Sequence, residues 1–387
     1  MSSLLLRALP VLSPCLVLIA GPCFAAPEHA AKTVDWPFFR GNALQTGVAG
    51  SELPEKLEVL WKFETKDAIE ATAAIVGDTA YVGGTDEFLY AIDLASGKEK
   101  WKYKGAAFMA PASVQGGRVY IGDSEGTFHC VDAQTGKKIW TLTTDAEIKS
   151  GASFFDNKVL FGAYDSTLYC LDKDGKEVWK FKAQGPINGS ATIVDGRTFA
   201  AGCDSSLHVI DSKKGTEILA VDLEGQAAAT AAVAGDCAYV GTMTNQVLAV
   251  DWKKGEVKWK FQAEKRPQAF YASAAVTDKL VVIGSQDKRV YGLNRDTGKE
   301  AWSFLTRGKV DSSPVVVGQR VFVGSADGKL YELDLAKGTK NQEYNLDGPI
   351  TASPAVGGGC LVIGTQKNTI YCLGAKKVGR GSKNGNR

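Results

Sequence analysis

Short runs in which Val, Ile, Tyr and Phe alternate with small or polar side chains, bounded by Gly, Asp and Asn, recur from residue 58 to residue 374. A period of two over four to seven residues predicts half-buried strands, and no stretch carries the 3.6-residue apolar period of a long helix. One arrangement returns about every 40 residues: an apolar strand ending in Gly, an Asp turn, a Leu-Tyr-x-Leu-Asp strand, a Gly turn, then a strand with Trp. Its clearest copy is VFVGSADGKLYELD, Val321 to Asp334. Aligned on the turn acid, the copies fall at Asp86, Glu125, Asp165, Asp204, Thr244, Asp287, Asp327 and Lys367, 39 to 43 residues apart. Four residues on come Tyr90, His129, Tyr169, His208, Leu248, Tyr291, Tyr331 and Tyr371. The register therefore holds through eight copies.

Each copy reads as four strands. The second turn, as in Ala95-Ser96-Gly97 and Asp296-Thr297-Gly298, puts Gly where a hairpin needs positive φ. Small residues recur at one place in the innermost strand (Thr72, Pro111, Gly151, Ser190, Thr230, Ser273, Ser313, Ser353), which lets the units converge on an axis. A four-stranded unit cannot bury both faces alone, so neighbours stack, and radial closure removes most free edges. The expected fold is all-β: an eight-bladed β-propeller of four-stranded antiparallel blades. The Trp strand sets how it closes. Its marker positions are Trp61, Trp101, Trp140, Trp179, Leu219, Trp259, Trp302 and Gln342, so one such strand precedes the first full unit and the last unit lacks its own. The segment Glu58 to Phe63 is expected to complete the eighth blade.

Composition narrows the function. Lys plus Arg (45) nearly balances Asp plus Glu (43), so there is no electrostatic footprint for nucleic acid. Glycine, 43 of 387 residues, exceeds the usual share of about 7%, in keeping with many tight turns. Outside the N-terminal apolar segment the cysteines are Cys130, Cys170, Cys203, Cys237, Cys360 and Cys372, with no CxxC pair; they read as small buried hydrophobes rather than a disulfide framework. Three histidines, His29, His129 and His208, do not suffice for a His-based metal cluster.

Residues 1–26 combine Arg7, an apolar stretch from Val11 to Ala20 and a small-residue end, and read as a secretory signal. Prolines at 10, 14 and 22 interrupt it, so no transmembrane segment is expected in the mature chain. Residues 27–57 form a lead segment with Trp36-Pro37-Phe38-Phe39-Arg40-Gly41-Asn42, residues 58–374 the propeller, and residues 375–387 a basic tail expected to be disordered.

The repeat, with its Asp turn, Leu-Tyr-x-Leu-Asp strand, Thr-Gly turn and Trp, resembles the PQQ-like eight-bladed propeller family across residues 58–374, and within it the BamB-like, outer-membrane protein assembly branch. The lead segment resembles the W-P-x-F-R-G stretch that precedes such propellers in secreted bacterial proteins. Two functions are implied by this resemblance. In the BamB-like branch a bare propeller serves as a non-catalytic scaffold in the cell envelope. In the quinoprotein dehydrogenases the propeller holds pyrroloquinoline quinone and Ca²⁺ over the axis, beneath an adjacent Cys-Cys pair and long insertions. This chain has no Cys-Cys dipeptide, and its spacing leaves no room for a lid.

Other apparent sites have plainer readings. Gly122-Asp123-Ser124-Glu125-Gly126 matches a G-x-S-x-G string, yet it lies in a strand-to-strand turn rather than the strand-to-helix elbow a hydrolase needs. The turn acids are spread around the ring and read as Asx-type caps, not metal ligands. The Trp residues and the two repeat histidines read as inter-blade packing. The one connection that lengthens, Gln262 to Tyr271, points to an interface, because loops on a rigid scaffold carry function. Arg266, Phe270 and Tyr271, with Phe108, Met109, Arg307 and Lys309 on the same face, are the expected partner-binding residues. The plainer reading of Phe270 is that it continues the apolar series Ile69, Phe108, Ile148, Ile187, Val310 and Ile350. The expected function is a non-catalytic, exported, periplasmic or envelope scaffold, a monomer within a complex, with no cofactor, metal or nucleic acid. The alternative is a quinone, other small-molecule or polysaccharide site at the axis.

Overall fold

The computed structural model describes residues 34–264 and 267–376; the expected signal segment, residues 27–33 of the lead segment, Arg266 and residues 377–387 of the basic tail lie outside them. Eight four-stranded antiparallel sheets are present, and every strand pairs with its neighbour in sequence except at the closure. Blades 1 to 7 occupy residues 74–104, 113–143, 153–182, 192–222, 232–262, 275–305 and 315–345. Blade 8 takes three strands from residues 355–374 and its outermost strand, Glu58–Glu64, from the other end of the propeller. In that closure Glu58 pairs with Gly374, Trp61 with Cys372 and Glu64 with Thr369. The fold is thus the eight-bladed propeller read from the repeat.

The burial pattern explains why the ring needs all eight sheets. Middle strands such as Thr79–Gly83 are buried throughout, because their alternating side chains fill the gaps on both sides of the blade. Outermost strands such as Glu99–Lys104 alternate exposed and half-buried positions. Every pairing of third and outermost strand carries an irregularity at the same place, as at Ala91/Ile92 and Glu332/Leu333, and such bulges raise the local twist of the outer edge.

Neighbouring blades are joined at two radii. Near the axis, backbone N–H groups donate to the hydroxyl of the next blade: Gly151 to Ser190 (2.9 Å), Ser190 to Thr230 (2.8 Å), Thr230 to Ser273 (3.0 Å), Ser273 to Ser313 (2.9 Å), Ser313 to Ser353 (3.0 Å) and Ser353 to Thr72 (3.3 Å). The small residues of the repeat are therefore hydrogen-bonding partners as well as thin ones. The belt is open at Pro111, which has no hydroxyl to accept and no N–H to give.

At the rim, each Trp of an outermost strand lies over the turn glycine of the next blade and donates its indole N–H to a carbonyl there. Trp61 bonds Leu94 O at 2.9 Å, Trp179 Ser212 O at 3.1 Å, Trp259 Arg295 O at 2.9 Å and Trp302 Leu335 O at 2.9 Å. Leu219 and Gln342 are the two exceptions, and the one at Leu219 has a physical cause. In the next blade the residue at the position that elsewhere supplies the accepting carbonyl is itself a tryptophan, Trp252, 2% exposed. Its indole donates to Gly235 O at 3.1 Å and its ring meets Phe199 edge-on at 5.4 Å, within the same apolar cluster as Leu219. Here the large ring that fills the gap comes from the opposite side.

The turn acids behave as caps. Asp327 Oδ1 accepts the Lys329 N–H at 3.1 Å, and Oδ2 accepts the Tyr331 hydroxyl at 2.8 Å and the Arg307 N–H at 2.9 Å. Blade 2 departs from the alignment. Glu125 is exposed, and the cap is Asp123, which takes the Thr127 N–H at 2.8 Å and His129 Nε2 at 2.8 Å. Burial alone would raise the Asp123 carboxyl, but His129 and the Thr127 and Ala106 N–H groups outweigh it and hold the group below its ordinary range. His208 sits likewise, between Asp204 at 2.8 Å and Glu217 at 2.6 Å.

Candidate functional site

The two ends of the axis differ. At one end lie the connections that lead into each innermost strand and the turns that carry the acids, tied together by bonds such as Thr85 N–H to Ala68 O at 3.0 Å. At the other end the lead segment crosses the mouth as a strap. It exchanges hydrogen bonds with Ile75 of blade 1 (2.7 and 2.8 Å) and then accepts N–H groups in turn: Val114 to Pro37 O, Ile193 to Ala43 O, Val233 to Leu44 O, Val276 to Thr46 O and Val316 to Gly47 O, at 2.7 to 2.9 Å. Phe38 reaches blade 3 by an edge contact with Phe154 at 5.9 Å. The innermost strands have a free edge toward the axis, and the strap satisfies part of it.

The axial cavity at the loop end has a volume of ≈ 170 Å³. Phe39 of the strap reaches it, the hydroxyl belt lines it, and Glu70, Met109, Lys149, Asn188, Tyr271 and Asp311 also line it. Its charge is mixed. Lys149 pairs with Glu147 at 3.0 Å and stands over the Tyr164 ring at 4.8 Å. Burial lowers its ammonium pKa, but Glu147 outweighs that and the net displacement is upward. Asp311 accepts the Gln286 amide at 3.0 Å.

A quinone cofactor does not fit these residues. Pockets for ligands of that size run from about 300 to 1,000 Å³, above the ≈ 170 Å³ present, and the sequence holds no adjacent cysteine pair to cover a ring system. Among the described residues no group of three or more His, Cys, Asp or Glu is arranged to hold a metal ion.

Of the seven residues expected to bind a partner, Arg266 lies outside the described residues and the fold places the other six apart. Phe108 and Phe270 are fully buried, Phe108 beneath Gly83 and Phe270 beneath Gly241, so both pack in the core as members of the apolar series rather than on the surface. Met109 and Tyr271, each one residue further on, face the axial cavity. Arg307 and Lys309 are exposed on the connection into blade 7. The longer connection borders a groove of ≈ 700 Å³ between the outer strands of blades 5 and 6, lined in part by Gln262, Glu264, Pro267, Arg289 and Tyr291. Sequence reasoning missed the strap, whose binding signal is main-chain and leaves no periodic mark; the run of bulky residues ending at Arg40 was the available hint.

A family profile described as outer membrane protein assembly factor BamB matches residues 54–147, 106–159, 124–218 and 203–380. The chain belongs to this BamB family. Among solved structures, BamB from Moraxella catarrhalis is similar at a TM-score of 0.69 with 19% identity, covering 83% of this chain and 98% of that one. Quinohemoprotein alcohol dehydrogenase from Comamonas testosteroni is similar at 0.74 with 14% identity, covering 88% and 80%. At such identities the likeness is one of fold, and it does not divide BamB from the dehydrogenases. The serine/threonine-protein kinase AfsK of Streptomyces griseus is 37% identical over 82 residues, 20% of this chain, so the match spans a tenth of that kinase's length. No helix among the described residues is long and apolar enough to cross a membrane.

Proposed function

We propose that this chain is an exported, non-catalytic scaffold of the cell envelope that presents its loop end to a protein partner in outer-membrane protein assembly. The observation that carries the reading is the family match over residues 54–380 on a propeller whose strap occupies one mouth of the axis and leaves the loop end for contact. At that end Tyr271, Met109, Arg307 and Lys309 offer an aromatic, a thioether and two cations on a rigid frame, residue types suited to a hot spot and its rim. In support, the axial cavity of ≈ 170 Å³ is smaller than the pockets of about 300–1,000 Å³ that ligands of quinone size usually occupy.

The experiment is affinity capture of the tagged full chain from envelope membranes, in wild type and in the Arg266→Ala/Tyr271→Ala double variant. Wild type is expected to retain proteins that assemble outer-membrane barrels, and the variant to lose them at an unchanged melting temperature. Unchanged capture removes the loop assignment. Dye-linked alcohol oxidation after incubation with pyrroloquinoline quinone and Ca²⁺ would replace the scaffold reading with the enzymatic one.

A further inference from the structure

The first residue of a blade's second strand lies diagonally across from a residue of the third strand, on the same face of the sheet. In blade 7 Arg320 pairs with Asp334, and the diagonal carries it to Glu332, Nη1 to Oε1 at 3.5 Å. In blade 2 Arg118 pairs with Asp132, and the diagonal carries it to Cys130. Burial pushes that thiol up, and Arg118 offsets only part of the push, leaving it at about 11. Blade 8 puts cysteine at both ends of the diagonal. Val362 pairs with Cys372 and Leu361 with Leu373, which sets Cys360 opposite Gly374, two residues past Cys372.

The two thiols are unequally placed. Cys372 is 0% exposed and pairs with Trp61 of the strand that closes the ring, whereas Cys360 is partly exposed at the start of its strand. A hydrogen bond from the Cys372 thiol holds the Cys360 thiol below its ordinary range, with burial acting the other way; the same contact, together with burial, pushes Cys372 up. An accessible thiol of lowered pKa backed by a buried second thiol is the arrangement of an attacking and a resolving cysteine. Diagonal neighbours have Cα atoms about 7–8 Å apart, so the span of about 4.4–6.8 Å usual for a disulfide asks the backbone to yield by roughly 1 Å. Here it can yield. Cys360 follows Gly357-Gly358-Gly359, a Cβ at Gly359 would meet nothing within 4 Å, and Gly374 opposite has no side chain to press on Cys360 Sγ. A bridge strained in this way is readily reduced again.

We infer that Cys360 and Cys372 form a reversible disulfide that staples the second strand of blade 8 to the strand on which the N-terminal strand closes the ring. The Cys360 thiolate attacks one sulfur of a disulfide oxidant and expels the other as a thiol, giving a mixed disulfide. The Cys372 sulfur, its proton passing to solvent, then attacks Cys360 Sγ and displaces the second thiol. Two cysteine thiols are oxidised and one disulfide is reduced to two thiols. The staple lies beside the pairing of Glu58 with Gly374, and it tightens the junction of the two ends whether or not the loop end captures a partner.

The test incubates the folded full chain in oxidised and in reduced glutathione, alkylates the remaining thiols and digests with trypsin. Cleavage after Lys340, Lys367 and Lys376 puts Cys360 in peptide 341–367 and Cys372 in peptide 368–376. The expected result is that these two peptides stay linked in the oxidised sample, two hydrogens lighter than their sum, and separate on reduction. Glutathione retained on Cys360 without the link, or bridges to other cysteines or between chains, overturns the inference. Bridged protein is also expected to exchange the amides of residues 58–64 more slowly than reduced protein, and the Cys372→Ala variant to exchange them alike in both buffers. Equal exchange in bridged and reduced wild type overturns the staple at the closure. Should Cys372→Ala not fold, the wild-type peptide link and exchange decide.

Discussion

Gly255 and Gly298 occupy the same turn of successive blades with nearly the same backbone, φ +74° and +69°, but meet different neighbours. A Cβ added at Gly298 would lie 2.5 Å from Trp259 Cε3, whereas one at Gly255 would lie 3.7 Å from Leu219 Cδ2, an ordinary contact. Alanine at either site carries the left-handed backbone cost of about 1–2 kcal/mol. At Gly298 it must also displace the indole, adding about 1–3 kcal/mol of overpacking and straining the Trp259 to Arg295 bond of 2.9 Å. Gly255→Ala should therefore lower stability by about 1–2 kcal/mol and Gly298→Ala by about 2–5 kcal/mol. Guanidinium unfolding followed by circular dichroism, with refolding checked, gives both values. The double variant Trp259→Leu/Gly298→Ala should cost less than the sum of its single changes, because leucine leaves room for the methyl. Equal losses at the two glycines, or strict additivity in the double variant, would refute the rim clamp.

Three further outcomes follow from the packing. Trp252→Leu should destabilise as a clamp residue does, by about 3 kcal/mol, in the same denaturation assay, since Trp252 fills the gap left at Leu219; a loss under 1 kcal/mol would leave that gap unexplained. Arg320 donates to the carbonyls of Leu53 (2.9 Å), Pro54 (3.0 Å) and Glu55 (3.1 Å), so Arg320→Ala should speed amide exchange in residues 53–64 more than elsewhere in blade 7. Glu343 accepts from Lys329 first and Lys340 second, which holds its carboxyl at about 2 instead of the ordinary 4.5. Its folded value lies below its unfolded one, so the contribution is full above about pH 4.5 and fades as pH falls toward 2. Glu343→Gln should flatten the acid limb of a melting-temperature profile in that window and lower stability at neutral pH.

The fold was legible because the turns repeat a chemistry that few residues can supply: Asp or Asn to cap, Gly to turn, Trp to clamp. Closure followed from counting which strand lacked a partner. The site was less legible. Phe108 and Phe270 are aromatic and next to loops, yet their place in the series Ile69, Ile148 and Val310 already marked them as core, and burial follows the series rather than the residue type. Spacing put the blade 2 cap at Glu125, whereas Asp123 is placed to reach His129 and the Thr127 N–H together. The loss at Leu219 is understood only with Trp252, 33 residues away in sequence, across the blade junction. The strap bonds by its backbone, which composition does not reveal.

The scaffold account is tested most directly by photo-crosslinking in intact cells from single positions at the two ends of the axis. Benzoylphenylalanine at Tyr271 or Arg307 samples the loop end, and at Lys254 or Lys337, both exposed, the strap end. Adducts with outer-membrane assembly proteins from the loop-end positions, and none from the other two, are the predicted result. Adducts confined to the strap end would contradict it.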